Sequence, residues 1–277
     1  MKKEVRIKKK KICVADEEIL CFNERDPANL PWKELEIDIV IESTGAFRTF
    51  DAAHKHIDAG AKKVIISAPG KDDNIPMYVM GVNDKLYRKA QKIISNASCT
   101  TNCLAPMVQI LHNAYDLQVG MLTTVHAYTA AQKLQDAPDS DLRRARAAAF
   151  NIVPTTTGAS SAVEKVLPEI KGKLTGSAIR VPVITGSLTE FTCLLKKKVS
   201  VEEINKLFKK SAAKKYKGII EYTEKPIVSS DIIGNTHSCI FDALSTSING
   251  KMVRVVSWYD NEFGYSSRMV DLIRRIY

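Results

Sequence analysis

"KIISNASCTTNCLAPMVQIL", residues 92–111, decides the fold. Its opening, "KIISNAS", is an apolar run ending in small polar residues, the pattern of a buried strand. Beyond it Leu104, Met107, Val108 and Leu111 fall at i, i+3, i+4 and i+7, one apolar stripe of a helix. The strand therefore runs straight into a helix, with Cys99 at the junction and Thr100 and Thr101 in the first turn. A strand delivering a side chain to a helix N-terminus is the building unit of an α/β protein.

The segments on either side extend that reading. "IDIVIEST" (37–44) and "KKVIISAPG" (62–70) are two more strands of the buried parallel kind, and "RTFDAAHKHIDAG" (48–60) is a helix with a stop at Gly60. "KKICV-ADEE-ILCF" reads as strand, tight acidic turn, strand, and "NERDPANLPW" as a loop with two prolines. From about residue 99 the texture changes. "GMLTTVHAYT", "SAIRVPVITGSLTEFTCLLKK", "GIIEYTEKPIVSS" and "SCIFDALSTSI" are long, alternating and β-branched, as in antiparallel strands. "VEEINKLFKKSAAKKY" is an amphipathic helix among them, and "GYSSRMVDLIRRIY" returns to a helical period. An α/β unit followed by a mixed β domain is the expectation.

The 277 residues suffice for two ordinary domains. No apolar run approaches the length of a membrane span, and acids interrupt the segment after the basic start, so no leader peptide is expected and a cytoplasmic location is. The net charge of +10 comes from scattered lysines without interleaved aromatics, which argues against nucleic-acid binding as the main role. Cysteines at 13, 21, 99, 103, 193 and 239 include no C-x-x-C pair, so neither a zinc site nor a disulfide scaffold is expected.

A cysteine at a helix N-terminus is placed to be a thiolate nucleophile, and the same N–H groups suit an oxyanion or a phosphate. A small buried cysteine is the alternative. Among five histidines, His54 and His56 lie in a polar helix, His112 at a helix end and His237 in a loop. His126, inside an apolar strand, is either a base or a satisfied core residue. "DLRRARAAA" puts Arg143, Arg144 and Arg146 before a helix, "PTTTGAS" is a hydroxyl-rich turn with Gly158, and Arg180 stands inside a strand, costly without a partner or ligand. The residues point to a cysteine enzyme acting on a small phosphorylated compound.

"NERDP", "ESTGAF", "ISAP", "ISNASCTTNCLAP", "TTVHAYT", "LRRARAAA", "IVPTTTGA", "KLTGSAIRVP" and "VSWYDNEFGYSSRMVDL", in this order from about residue 20 to the end, resemble the phosphorylating glyceraldehyde-3-phosphate dehydrogenase family. The resemblance implies a Rossmann-type NAD-binding domain over 1–98, completed by the C-terminal helix 263–277. Residues 99–262 would be an α+β catalytic domain with a mixed, mainly antiparallel sheet. It implies glycolytic oxidation of glyceraldehyde 3-phosphate to 1,3-bisphosphoglycerate through a thiohemiacetal and a thioester on Cys99, with His126 as base and hydride passing to NAD. Thr129 and Arg180 would hold the substrate phosphate. Ser98, Thr157 and Gly158, with Arg144 beside them and Thr100 at the helix start, would hold inorganic phosphate. Arg25, Thr44, Ser67, Asn261 and Tyr265 would line the cofactor cleft, and no metal is implied.

Pro138, a residue associated with NAD, is present, whereas Ala137, Asp139 and Ser140 depart from the family, so NADP stays open as an alternative cofactor. The family's assembly implies a homotetramer. An erythrose-4-phosphate dehydrogenase is the alternative enzyme, but "TTTG" and Tyr265 favour the triose. A non-catalytic binding protein is the alternative of another class. No G-x-G-x-x-G occurs in the 277 residues. The expectation is that the chain begins inside the family's third strand region, at least one βαβ unit of about 30 residues lying before it. Each charge-assisted hydrogen bond to the cofactor that such a chain lacks costs about 1.5–3 kcal/mol, so NAD binding at millimolar levels or weaker is expected.

Overall fold

A computed structural model of the chain describes residues 4–8 and 11–277. Part of the basic start, Met1 to Lys3 with Lys9 and Lys10, lies outside the described residues. Strands β1 (Val5–Lys8), β2 (Lys11–Val14) and β3 (Glu17–Leu20) form an antiparallel sheet of their own. The β2–β3 turn is the expected acidic one, with Ala15 in the left-handed region at φ 54°. β1 is an addition to that expectation.

Three parallel strands follow, β4 (Ile39–Glu42), β5 (Lys63–Ile66) and β6 (Ile93–Ser95), with helix α1 (Phe50–Asp58) crossing from β4 to β5. Thr49 caps α1, its Oγ1 accepting from the Ala52 N–H, and Gly60 ends the turn beyond it at φ 110°. β5 is apolar from Val64 to Ile66 because both faces are buried there. Val64 and Ile66 pack with Val40, Ala53 and Ile93 on one side. Ile65 packs with Tyr78, Ile94 and the C-terminal helix on the other.

Helix α2 (Cys99–Tyr115) leaves β6 and is buried along nearly its whole length, from Thr100 through Val108 and again at Ile110 and Leu111. The single apolar stripe in its sequence understates this, because Thr100, Thr101 and Asn102 also point inward and find partners there. The remaining elements are β7 (Leu117–Ala127), β8 (Val153–Thr156), α3 (Ala159–Val166), β9 (Leu174–Val181), β10 (Ser187–Leu195), α4 (Val201–Ala213), β11 (Ile220–Thr223), β12 (Cys239–Asn249), β13 (Met252–Tyr259) and α5 (Phe263–Ile276). Their seven strands form one sheet in the order β11-β12-β13-β10-β7-β9-β8, parallel at β7–β9 and β11–β12 and antiparallel elsewhere. α2, α3 and α4 share one core with it. α5 returns to the parallel sheet and lays Met269, Leu272 and Ile276 on Ile65 and Ile94.

Several expectations are corrected. The long run "SAIRVPVITGSLTEFTCLLKK" is two strands, β9 and β10, separated by a turn with Gly186 at φ 94°. No helix follows the arginines of "DLRRARAAA"; residues 141–150 are turns. Asp141 Oδ1 caps a single turn, accepting from Arg143 and Arg144, and the next N–H groups leave it: Ala147 donates to Asp136 Oδ1 and Ala148 to the Lys133 carbonyl. "PTTTGAS" is in part a strand, β8, with Gly158 at the N-cap of α3. His56 does not lie on a polar face. It is 5% exposed, its Nε2 is 3.0 Å from the buried carboxylate of Glu42, and its Nδ1 accepts from the indole N–H of Trp32 at 3.1 Å.

Candidate active site

Ala97, fully buried and at φ 55°, turns the chain sharply between β6 and α2. Ser98 is the N-cap: its Oγ accepts from the Thr101 N–H at 3.1 Å and lies 2.7 Å from the Thr101 hydroxyl. Cys99 thus becomes the first residue of a well-capped helix, where unpaired N–H groups and the helix dipole favour negative charge. Asn102 locks the turn by donating to the carbonyls of Asn96 and Ser98.

His126 comes to meet it from β7. Its Nε2 lies 3.3 Å from Cys99 Sγ, and the ring is only 4% exposed. β7 pairs in parallel with β9 so that His126 stands beside Arg180, whose Nη1 is 2.5 Å from His126 Nδ1 and donates to the Ala127 carbonyl at 3.0 Å. That carbonyl also lies 2.6 Å from Nδ1. A carbonyl only accepts and a guanidinium only donates, so the two press the imidazole towards opposite tautomers. With Nδ1–H on the Ala127 carbonyl, the Nε2 lone pair faces the thiol.

Burial, and then the Arg180 charge, hold His126 down to about 4. Burial pushes the Cys99 thiol above its ordinary value, against the pull of the Thr100 N–H and of Arg180. Desolvation is the largest influence on both groups, so the resting pair is thiol and neutral imidazole. Proton transfer between them creates two opposite charges in contact, which the low-dielectric surroundings tolerate better than either charge alone.

The other expected residues fall into two groups. Around Cys99, Thr129 follows directly on β7, three residues past His126. Arg144 donates from Nε to the Thr155 hydroxyl at 2.7 Å, beside Thr157 and Gly158 at the start of α3; Thr157 Oγ1 accepts from the Ala159 N–H. Thr100 is buried, and its hydroxyl is 2.9 Å from that of Tyr259, which also lies 2.8 Å from Thr124. The hydroxyls of Ser98, Thr100 and Thr157 are therefore already engaged within the protein.

Of the second group, Thr44 and Ser67 lie at the carboxyl ends of the parallel strands, where open α/β sheets receive ligands. Thr44 follows β4, with its N–H and hydroxyl on the Glu42 carboxylate. Ser67 follows β5 and donates its N–H to the Glu42 carbonyl. Arg25 is exposed on the loop before β4. Tyr265 donates to the Ala97 carbonyl at 3.1 Å, holding α5 against the cysteine turn. Asn261 is buried; its Oδ1 accepts from Gly186 N–H and Ser187 Oγ, while its Nδ2 has only a 3.3 Å contact to Glu262. A nicotinamide carboxamide fits such an amide nitrogen. Asn96, at the end of β6, adds a fully buried amide whose Nδ2 and Oδ1 have no partner.

Glu42, Ser187 and Tyr259 escaped the sequence reading. Tyr259 stood in the quoted "VSWYDNEFGY" block but carried no separate signal, and a serine opening a strand carries none.

Residues 98–261 match the model of the glyceraldehyde 3-phosphate dehydrogenase C-terminal domain, and residues 1–50 that of its NAD binding domain. The chain belongs to the glyceraldehyde-3-phosphate dehydrogenase family. It is 55% identical over 263 residues to the glyceraldehyde-3-phosphate dehydrogenase of Mycobacterium leprae, covering 95% of this chain and 77% of that one. It is 57% identical over 247 residues to that of Mycobacterium avium (89% and 73%), and 52% identical over 269 residues to glyceraldehyde-3-phosphate dehydrogenase 2 of Saccharomyces cerevisiae (96% and 80%). The chain is an NAD-dependent oxidoreductase of that family, and neither the erythrose phosphate enzyme nor a non-catalytic binding protein finds support in these matches. No helix among the described residues is long and apolar enough to cross a membrane.

Proposed function

We propose that the chain catalyses the phosphorylating oxidation of glyceraldehyde 3-phosphate to 1,3-bisphosphoglycerate with Cys99 as nucleophile and His126 as its base. The 3.3 Å approach of Cys99 Sγ to His126 Nε2 at a helix N-terminus carries this reading. Sγ attacks the aldehyde carbon while its proton passes to Nε2 and from there to the carbonyl oxygen, which becomes the hydroxyl of a thiohemiacetal and leaves His126 neutral again. NAD, when bound, supplies the hydride acceptor that turns this adduct into a thioester. His126 takes the hydroxyl proton in that step. An inorganic phosphate oxygen then attacks the thioester carbon, the C–S bond breaks, and the acyl phosphate leaves Cys99.

Arg180 and Thr129 are assigned to the substrate phosphate. Arg144, Thr157 and Gly158, with Ser98 and Thr100 at the helix start, are assigned to the attacking phosphate. Arg25, Thr44, Ser67, Asn261 and Tyr265 are assigned to the cofactor. A substrate phosphate on Arg180 would also draw the guanidinium off Nδ1, leaving the tautomer in which Nε2 accepts the thiol proton. Residues 1–98 with 263–277 form the cofactor unit in this reading, and 99–262 the catalytic unit. A homo-oligomer is the proposed assembly, supported by an uncovered sheet face that exposes Val119, Met121, Leu194 and Met252.

The test is to mix the protein with aldehyde and NAD in the absence of phosphate and to map the adduct by peptide mass. An acyl group on Cys99, discharged by added phosphate and absent in Cys99→Ser, is expected. An adduct on another cysteine, or turnover by Cys99→Ser, would overturn the assignment.

A further inference from the structure

Ser187 opens β10 and is 1% exposed, yet its hydroxyl is fully engaged. Its Oγ accepts from the Ala127 N–H at 3.1 Å and donates to Asn261 Oδ1 at 2.7 Å. Ala127 is the chain neighbour of His126. One buried oxygen therefore ties the strand that carries the base to the side chain assigned to the nicotinamide. The preceding residue works with it. The Gly186 N–H donates to the same Oδ1 at 3.2 Å. At φ 94°, with a Cβ position that would stand 2.5 Å from the Ser229 carbonyl oxygen, this position requires glycine.

An Asn side chain can present either its oxygen or its NH2 to a ligand, and its neighbours choose. Here the choice is forced. The backbone N–H of Gly186 can only donate, so Oδ1 must face it, and the Ser187 hydroxyl, already accepting from Ala127, has its proton left for the same oxygen. The NH2 group alone remains for a carboxamide oxygen.

We propose that Ser187 is a positioning residue for the oxidation: it locks the Asn261 amide with its NH2 towards the nicotinamide carboxamide and registers that amide against the strand bearing His126. The proposal rests on the cofactor role assigned to Asn261 above. Without the Ser187 hydroxyl, Oδ1 keeps one donor, and the amide can rotate to orientations that turn its oxygen towards the carboxamide oxygen.

Calorimetric titration of the full chain with NAD, beside steady-state kinetics, tests this in a double-mutant cycle of Ser187→Ala and Asn261→Ala. Ser187→Ala is expected to weaken NAD binding about tenfold, ~1.4 kcal/mol. Its KM for the aldehyde and the cofactor-free alkylation rate of Cys99 should stay within about twofold. In the Asn261→Ala background the serine substitution should add nothing, because its effect passes through that amide. Should Ser187→Ala fail to accumulate as folded protein, the near-isosteric Ser187→Cys, a much weaker donor, carries the same expectation. An undiminished NAD affinity in Ser187→Ala, or an equal loss in the presence and absence of Asn261, overturns the proposal while leaving the role of Asn261 standing. An unchanged affinity in Asn261→Ala overturns both.

Discussion

Cys99 and Cys21 make a natural contrast in reactivity. Cys21 is exposed on the chain after β3, whereas Cys99 is half-buried at a helix N-terminus with an imidazole 3.3 Å away. Access favours Cys21, and burial raises the Cys99 thiol; the base in contact with its sulfur favours Cys99. We expect iodoacetamide at neutral pH to label Cys99 first, and His126→Asn to slow that labelling by at least tenfold. Faster labelling of Cys21 would mean that burial of the Cys99 thiol outweighs its base. Because His126 is held down to about 4, its lone pair stays available well below the usual histidine range, and the acid limb of Cys99 alkylation should lie near pH 4. Two further residues separate the anion sites. Arg180→Ala should chiefly raise the KM for aldehyde, removing an ion pair worth roughly 1.5–3 kcal/mol, and Thr157→Ala chiefly the KM for phosphate. Equal effects on both constants would dissolve the two-site assignment. Cys99, His126 and Arg180 were legible because each is a polar or reactive group that an apolar strand or a helix start does not need. Ser187 was not: its role depends on two bonds, to residues 60 and 74 positions away, that no local pattern encodes.

Among the elements, the link between β4 and α1 stands out for what it buries. Glu42 is 3% exposed, and although burial alone would raise its carboxyl, hydrogen bonds from His56 and Thr44 outweigh it and hold the group below its ordinary value. A depressed carboxyl binds fewer protons folded than unfolded. Its stabilisation is therefore present above the unfolded carboxyl value near 4.3 and is lost as pH falls through the folded value. Urea unfolding of Glu42→Gln should show less loss of stability between about pH 5 and pH 3 than the parent. An identical slope would remove Glu42 as the titrating group. His56→Ala, which removes one of the three hydrogen bonds on the buried carboxylate, should cost about 1.5–3 kcal/mol at pH 7. The pair was invisible in sequence because it joins a strand to a helix 14 residues on, and the helix's other residues look solvated. Periodicity did recover the parallel strands, α1, α2, α4 and α5, since each buries a face with its own repeat. It failed after the arginines of "DLRRARAAA", where the expected helix gives way to turns because Ala147 and Ala148 donate to Asp136 and to the Lys133 carbonyl instead.

At the scale of the whole molecule, the chain passes from the parallel sheet to the seven-stranded sheet through residues 96–98 and α2, and returns through α5, with Cys99 and His126 at the first crossing. The parallel sheet brings Thr44 and Ser67 to its carboxyl edge, the large sheet brings His126 and Arg180, and α5 crosses back to fasten the joint through Tyr265. α2, which carries the proposed nucleophile, is the central beam of the larger core rather than a surface element. Ligand-binding loops and active-site lids are drawn from the parts of a fold that open most easily. Here the reactive sulfur is mounted on what should be the last part to soften. On gradual heating, the fast reaction of Cys99 with an alkylating agent should persist up to the temperature at which circular dichroism reports collapse of the helices, and the two curves should share a midpoint. A thiol that turned sluggish ten degrees earlier would show that the beam loosens before the walls. If the midpoints agree, the amides of Leu104 to Leu111 should also exchange with deuterium more slowly than any on the outer strands β1 to β3, making the catalytic helix the molecule's thermal memory.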